Sequence, residues 1–188
     1  MRVVFSLVLG FVLVSCAISP QQAELSMQPV AVPAGQAKSM SLQVLDVRSN
    51  KVLGHLGGTY AQTATLTLAS GAMDELASVS QQSFSQSGWQ LQNSAMADQQ
   101  LLLRLHELQY RIERAPQWPL WDVSLYAEVS YNLKNHNGEF ERKFRVREDH
   151  RVWPRPSAET NQEYVNQLIN KAWAMMLQEP ELADLLGR

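Results

Sequence analysis

Residues 121–152 read WDVSLYAEVSYNLKNHNGEFERKFRVREDHRV. Trp121, Val123, Leu125, Ala127, Val129, Tyr131 and Leu133 take every second position, against Asp122, Ser124, Glu128, Ser130 and Asn132 on the alternate ones. A period of two is that of a strand with one face on a core and the other in water. Asn137-Gly138 is the dipeptide favoured in a two-residue type I′ turn. A turn there pairs Tyr131 with Phe144 and Val129 with Val146 on the apolar face, and Lys134 with Glu141 and Glu128 with Arg147 on the polar one. A slip of one residue would bury the charges, so the alternation itself specifies the pairing parity. The chain is therefore built on a half-buried antiparallel sheet.

The flanking sequence adds to that hairpin. Leu101 to Glu113 is a long strand whose apolar face changes sides, from Leu101, Leu103 and Leu105 to Leu108, Tyr110 and Ile112. A bulge or a sharp twist near His106 would account for the change. Ser41 to Arg48 alternates as a further strand, a Gly-rich turn region holds Gly54, Gly57 and Gly58, and Thr63 to Leu68 is a short strand. Ser70 caps a helix running to about Ser87, striped by Met73, Leu76, Ala77, Ser80 and Phe84, with Gly88 as its stop. Thr160 and Glu163 have capping-box spacing ahead of a second helix, with Tyr164, Val165, Leu168, Ile169, Ala172, Trp173 and Met176 on one side. Pro180 ends it, and Leu182, Leu185 and Leu186 suggest one more short helix. The expected fold is one α+β domain, a twisted antiparallel sheet of four or five strands with helices 70–87 and 160–178 packed on one face.

The N-terminus has a different character. Arg2 precedes the apolar run Val3 to Val14, which ends in Leu13-Val14-Ser15-Cys16. About twenty apolar residues are needed to cross a bilayer, and a shorter run ending in small residues reads as a signal peptide. Residues 1–15 are thus expected to be removed and Cys16, the only cysteine, to become the lipidated first residue. From there to about residue 40 the chain is rich in Gln, Ser, Ala and Pro, with Glu24 and Lys38 as its charges. This stretch, 16–40, reads as a flexible tether spanning about 25 to 30 Å, with Met27, Val30 and Val32 able to pack as an edge segment. The domain proper is then 41–188.

Charge and chemistry narrow the function. Lys and Arg number 16 against 18 Asp and Glu, a balance that gives no basic footprint for nucleic acid. A single cysteine leaves no intramolecular disulfide and no cysteine metal cluster. His55, His106, His136 and His150 lack metal-ligand spacing, and no nucleophile elbow or phosphate-cradling loop occurs. No catalytic residue, metal or cofactor is expected beyond the covalent lipid on Cys16.

Three features carry functional readings beside plainer ones. In the hairpin, Arg142, Glu148 and His150 share the face of Phe144 and Val146; they lie either at uncovered ends of the sheet or along an open groove that His106 could join. The loop Ala115-Pro116-Gln117-Trp118-Pro119-Leu120-Trp121 offers Trp118 and Trp121 as rigid apolar contacts for a partner, or folds Trp118 back to cap the core. Arg142, Lys143, Arg145, Arg147 and Arg151 form a basic run, but Glu139, Glu141, Glu148 and Asp149 interleave with it, so it reads as a mixed-charge solvated strand.

Taken together, the Cys16 motif, the Pro/Gln tether, the strand from Leu42 to Arg48, the stretch Ala64 to Ser70 leading into a helix and the closing helix resemble the YajG-type family of bacterial lipoproteins. The resemblance spans most of the chain, and the Trp/Pro loop at 115–121 departs from it. It implies a Gram-negative envelope protein. Because Ala17, not aspartate, follows Cys16, it further implies anchoring in the outer membrane, facing the periplasm. The expected function is a non-catalytic interaction or assembly module, held to the membrane by its lipid and working with envelope proteins. The alternative is a small-molecule, glycan or lipid-binding lipoprotein using the groove.

Overall fold

In the computed structural model the long meander dominates, and the structure describes residues 19–36, 38–57, 63–94 and 96–187. The expected signal peptide, Cys16, Ala17 and Gly58 lie outside the described residues. In chain order the elements are β1 (Gln21–Ala23), β2 (Ser39–Asp46), β3 (Val52–His55), β4 (Thr65–Leu68), α1 (Ala72–Gln86), β5 (Gln90–Leu91), β6 (Gln99–Arg114), β7 (Trp121–Asn135), β8 (Gly138–Val152), α2 (Ala158–Leu177) and α3 (Pro180–Gly187). They form a single α+β domain with two sheets, ordered β5-β2-β6-β7-β8 and β1-β4-β3. The large sheet is antiparallel from β6 to β8, but β2 runs parallel to both β5 and β6. That direction follows from α1, since a strand returning after a crossover helix lies parallel to the one before it.

The hairpin keeps its expected faces but shifts its partners by two residues. Leu133 opposes Phe140, Tyr131 opposes Arg142, Val129 opposes Phe144 and Ala127 opposes Val146. The turn residues are His136 and Asn137, and Gly138 is already paired with Asn135. Two causes displace the turn: the Asn135 side-chain carbonyl accepts the Asn137 N–H at 2.9 Å, and the positive φ of 137° falls on Gly138 alone. An even shift preserves parity, so each strand keeps the same face toward the core even where Tyr131 now meets Arg142.

The bulge in β6 stands where the change of face required it, between Leu105 and Glu107. On either side of it Leu103, Leu105, Leu108 and Tyr110 are all buried. They share one core with Leu76 and Phe84 of α1 and with Val165, Leu168, Ile169 and Trp173 of α2, all at 0% exposure. The Trp173 indole N–H donates to Ser80 Oγ at 2.9 Å, and that hydroxyl donates to the Leu76 carbonyl at 2.7 Å, so the core's largest side chain has no orphaned donor.

Several local expectations are corrected. Ser70 does not cap α1; Gly71 is the N-cap and offers no side-chain bond, although Gly88 ends the helix with φ of 85°. The cap of α2 is Ser157, whose Oγ accepts the Thr160 N–H at 3.1 Å, so Thr160 is a first-turn residue. Strand β3 lies inside what reads as a turn region, because a Cβ on Gly54 would stand 1.8 Å from the Tyr110 carbonyl oxygen. That glycine permits one strand to cross closely over another.

The largest correction concerns the tether. Residues 19–36 are laid on the domain: Ala23 forms part of β1, and Ala23 and Met27 are buried in the core. Asn166 accepts from Ser26 N at 2.8 Å and donates to the Glu24 carbonyl at 3.0 Å. Asn170 accepts from Gln28 N at 3.2 Å and donates to the Ser26 carbonyl at 3.1 Å. A side-chain amide carries both a donor and an acceptor, so two asparagines on α2 bond the segment much as a neighbouring strand would. Trp89 Nε1 donates to the Pro33 carbonyl at 2.8 Å and completes the seam.

Candidate functional site

The helices cover one face of the large sheet and leave the other bare. On the bare face stand Glu107, Gln109 and Arg111 from β6, Ser124, Tyr126 and Glu128 from β7, and the odd-numbered residues of β8. Charges here are matched across strands. Glu128 accepts from Arg145 Nε at 2.8 Å and Lys143 Nζ at 3.3 Å; Asp122 accepts from Arg151 at 2.7 Å, and Asp149 from Ser124 at 2.6 Å and Arg147 at 3.0 Å. The Arg145 guanidinium, aided by Lys143, holds the Glu128 carboxyl below its ordinary pKa.

Three open clefts of about 610, 300 and 440 Å³ mark this face. The first lies where β3 crosses the edge of β6 and shares Glu107, Gln109 and Arg111 with the second. The second shares Arg111, Ser124 and Arg147 with the third. They are therefore one trough, running across the sheet from the β3–β6 edge to β8.

The wide end of the trough is electrostatically built. Arg48 is almost wholly buried and grips Asp46 through Nε and Nη2, each at 2.9 Å, while Lys51 closes on the same carboxylate at 2.8 Å. Burial alone would raise the Asp46 pKa, but these bonds outweigh it and hold the carboxyl far below the ordinary range. Beside them His106 Nε2 pairs with Ser130 Oγ at 2.8 Å. Burial, then the nearby Lys143, lowers the His106 pKa and favours a neutral ring. Among the described residues no cluster of His, Cys, Asp and Glu could hold a metal ion, and no helix is long and apolar enough to cross a membrane.

The groove expected at Arg142, Glu148 and His150 is closed by the helices. Glu148 is bound by Lys171 of α2 at 2.8 Å, and the His150 ring stacks on Tyr164 at 4.2 Å with 7° between planes. Arg142 lies further along β8, clamped by Glu179 at 2.7 Å and by Glu181. Glu148 and His150 do come together, with 3.8 Å between Oε2 and Nε2, but beneath α2. His106 lies on the opposite face, at the bulge, where it pairs with Ser130 and not with Glu148 or His150.

The tryptophans of the 115–121 loop part company. Trp118 is 79% exposed and does not cap the core. Trp121 packs against the core instead, with the guanidinium carbons of Arg155 and Arg114 at 4.9 and 5.5 Å from its ring centroid. A residue that the sequence reading missed, Trp153, is 67% exposed. It follows Val152, the partner of Trp121, and the motif Trp153-Pro154 repeats Trp118-Pro119.

Comparison with known proteins adds family and fold. A family model described as an uncharacterized lipoprotein matches residues 26–186. A crystal structure of a Xanthomonas campestris protein of family DUF330 is similar with a TM-score of 0.55 at 13% identity, covering 89% of this chain and 93% of that one. A lipoprotein from Neisseria meningitidis is similar with a TM-score of 0.35 at 12% identity, covering 71% and 96%. No curated protein sequence matches the chain significantly.

Proposed function

We propose, since this chain belongs to the YajG-type family of uncharacterized lipoproteins, that it is a non-catalytic assembly module anchored in the outer membrane and facing the periplasm. It holds an extended polar segment of an envelope protein in the trough. The observation that carries this reading is the continuity of the three clefts through Glu107, Gln109, Arg111, Ser124 and Arg147. Ligand pockets for small molecules are concave, mostly apolar and enclosing. A long open surface with alternating charges instead suits a partner that lies across several strands and is selected by its charge pattern.

The anchor on Cys16 supplies the other half of the reading. It keeps the trough at the membrane, where an envelope partner is met at high local concentration. Cross-linking in intact envelopes followed by purification tests both halves. The unaltered protein should recover a specific partner in the outer-membrane fraction, and Arg111→Glu with Arg147→Glu should lose it while the fold is retained. Recovery unchanged by the charge reversals would overturn the trough. Co-purification of a glycan or lipid with no protein would replace this reading with that of a small-ligand carrier, and fractionation with the inner membrane would overturn the location.

A further inference from the structure

We infer that the end of the domain bearing Trp118 and Trp153 rests in the headgroup layer of the membrane that holds the lipid, which fixes the domain's orientation as well as its address. The inference rests on the reading that Cys16 carries that lipid. Its first support is the direction of the N-terminal segment. Traced backwards, Gln28 bonds Asn170, Ser26 and Glu24 bond Asn166, and Gln21 accepts from Asn161 Nδ2 at 2.9 Å. Each step moves toward the start of α2, in total about 14 Å along the helix axis at 1.5 Å per residue.

The start of α2 is the Trp end of the sheet. Val152 opposes Trp121, Trp153 comes next, and α2 begins at Ala158. Trp118, with 79% of its surface exposed, stands three residues before Trp121 on the loop that closes β6 and β7, whose Ala115 N–H donates to the Leu120 carbonyl at 3.0 Å. The chain therefore leaves the described domain at Ser19 on the same side as both exposed indoles. Cys16 is three residues earlier, and three residues reach at most about 11 Å. A lipid held that close does not let the domain stand clear of the bilayer.

The chemistry of this end fits a headgroup layer. Indoles with one apolar body and one N–H donor settle at membrane interfaces, and Trp118 and Trp153 are the two exposed tryptophans of the described residues. Arg114 and Arg155 flank Trp121 between them, and an arginine fork matches phosphate geometry. The acids nearby are Asp122, already bound by Arg151, Glu113, bound by Arg111, and Glu159 in the first turn of α2. With this end down, the trough faces sideways across the periplasmic surface.

The test uses the mature lipidated protein reconstituted in vesicles of phosphatidylethanolamine and phosphatidylglycerol whose acyl chains carry bromine, a short-range quencher of indole emission. Mass spectrometry first establishes acylation at Cys16. The protein's emission should be quenched, and Trp118→Ala with Trp153→Ala should lose most of that quenching while circular dichroism stays unchanged. Equal quenching in the double variant, or none in an acylated protein, would overturn the orientation and leave the lipid anchor standing. An unmodified Cys16 would overturn both. A protein adduct formed by a photo-crosslinker at position 118 in intact envelopes, in place of lipid, would show that a partner covers this end and would also sink the inference.

Discussion

Strand β7 shows two surfaces made by one run of residues. On the covered side Val123, Leu125, Ala127, Val129, Tyr131 and Leu133 are buried almost completely. On the bare side Asp122 and Glu128 are held in cross-strand ion pairs whose basic partners range in exposure from 48% at Lys143 to 69% at Arg145. The covered side specifies the fold, because each of its contacts is dry and packed. The bare side contributes little to stability, because exposed ion pairs are weak, and this leaves it free to be written for recognition. A period of two thus lets one strand serve both purposes with little conflict.

That contrast can be broken. The largest effect is expected from Trp173→Ala, which empties the space of the core's largest side chain and removes its bond to Ser80; it should cost about 4 kcal/mol in chemical denaturation. Asp46→Ala leaves Arg48 buried without its carboxylate and should cost about 3 kcal/mol. Its pH signature has a definite sign. A carboxyl with a depressed folded pKa contributes fully above its unfolded value of about 4 and loses that contribution as pH falls below it. The acid-unfolding slope should therefore flatten in the variant.

His106 sharpens the contrast, since it sits on the bare side yet is partly buried. Its folded pKa is lowered, so the unfolded chain binds the proton more readily. Stability is then complete above about pH 6.5 and falls as pH drops below it. Thermal midpoints between about pH 8 and pH 5 should decline less in His106→Gln than in the unaltered protein, and equal slopes would refute the assignment. The smallest effect belongs to Glu128→Gln, which should cost under about 1 kcal/mol in denaturation, as expected for a pair with exposed partners. A loss comparable to that of Asp46→Ala would refute the ranking of a pair with exposed partners below one with a buried partner.

Legibility followed the same division. The hairpin faces, the bulge near His106, the stop at Gly88 and the break at Pro180 were all readable, because each depends on local periodicity or on one residue's backbone preference. The docking of residues 19–36 was readable only in part: Met27, Val30 and Val32 do pack on the core, but the asparagine side chains that hold the segment lie some 140 positions away and it has no period of its own. Strand β3 was hidden by Gly54, whose role appears only once Tyr110 lies against it. At the functional end, Trp118 was visible as an aromatic beside prolines. Trp153-Pro154 carries the same signal between the hairpin and the second helix. The trough was illegible, because it is made by strands meeting and not by a motif.

The extra residue at the bulge acts as a shift of reading frame within a single strand. Upstream of it, odd numbers in β6 mean inside; downstream, even numbers do. Removing His106 would restore an unbroken ladder, with Leu105 inside, Glu107 outside and Leu108 inside, so both faces would stay as they are and only the irregularity of the strand would go. Were the chain to run through that position with no bulge, Glu107, Gln109 and Arg111 would turn toward the helices, so the irregularity is what lets an extra residue enter the strand without exchanging the binding surface for the core.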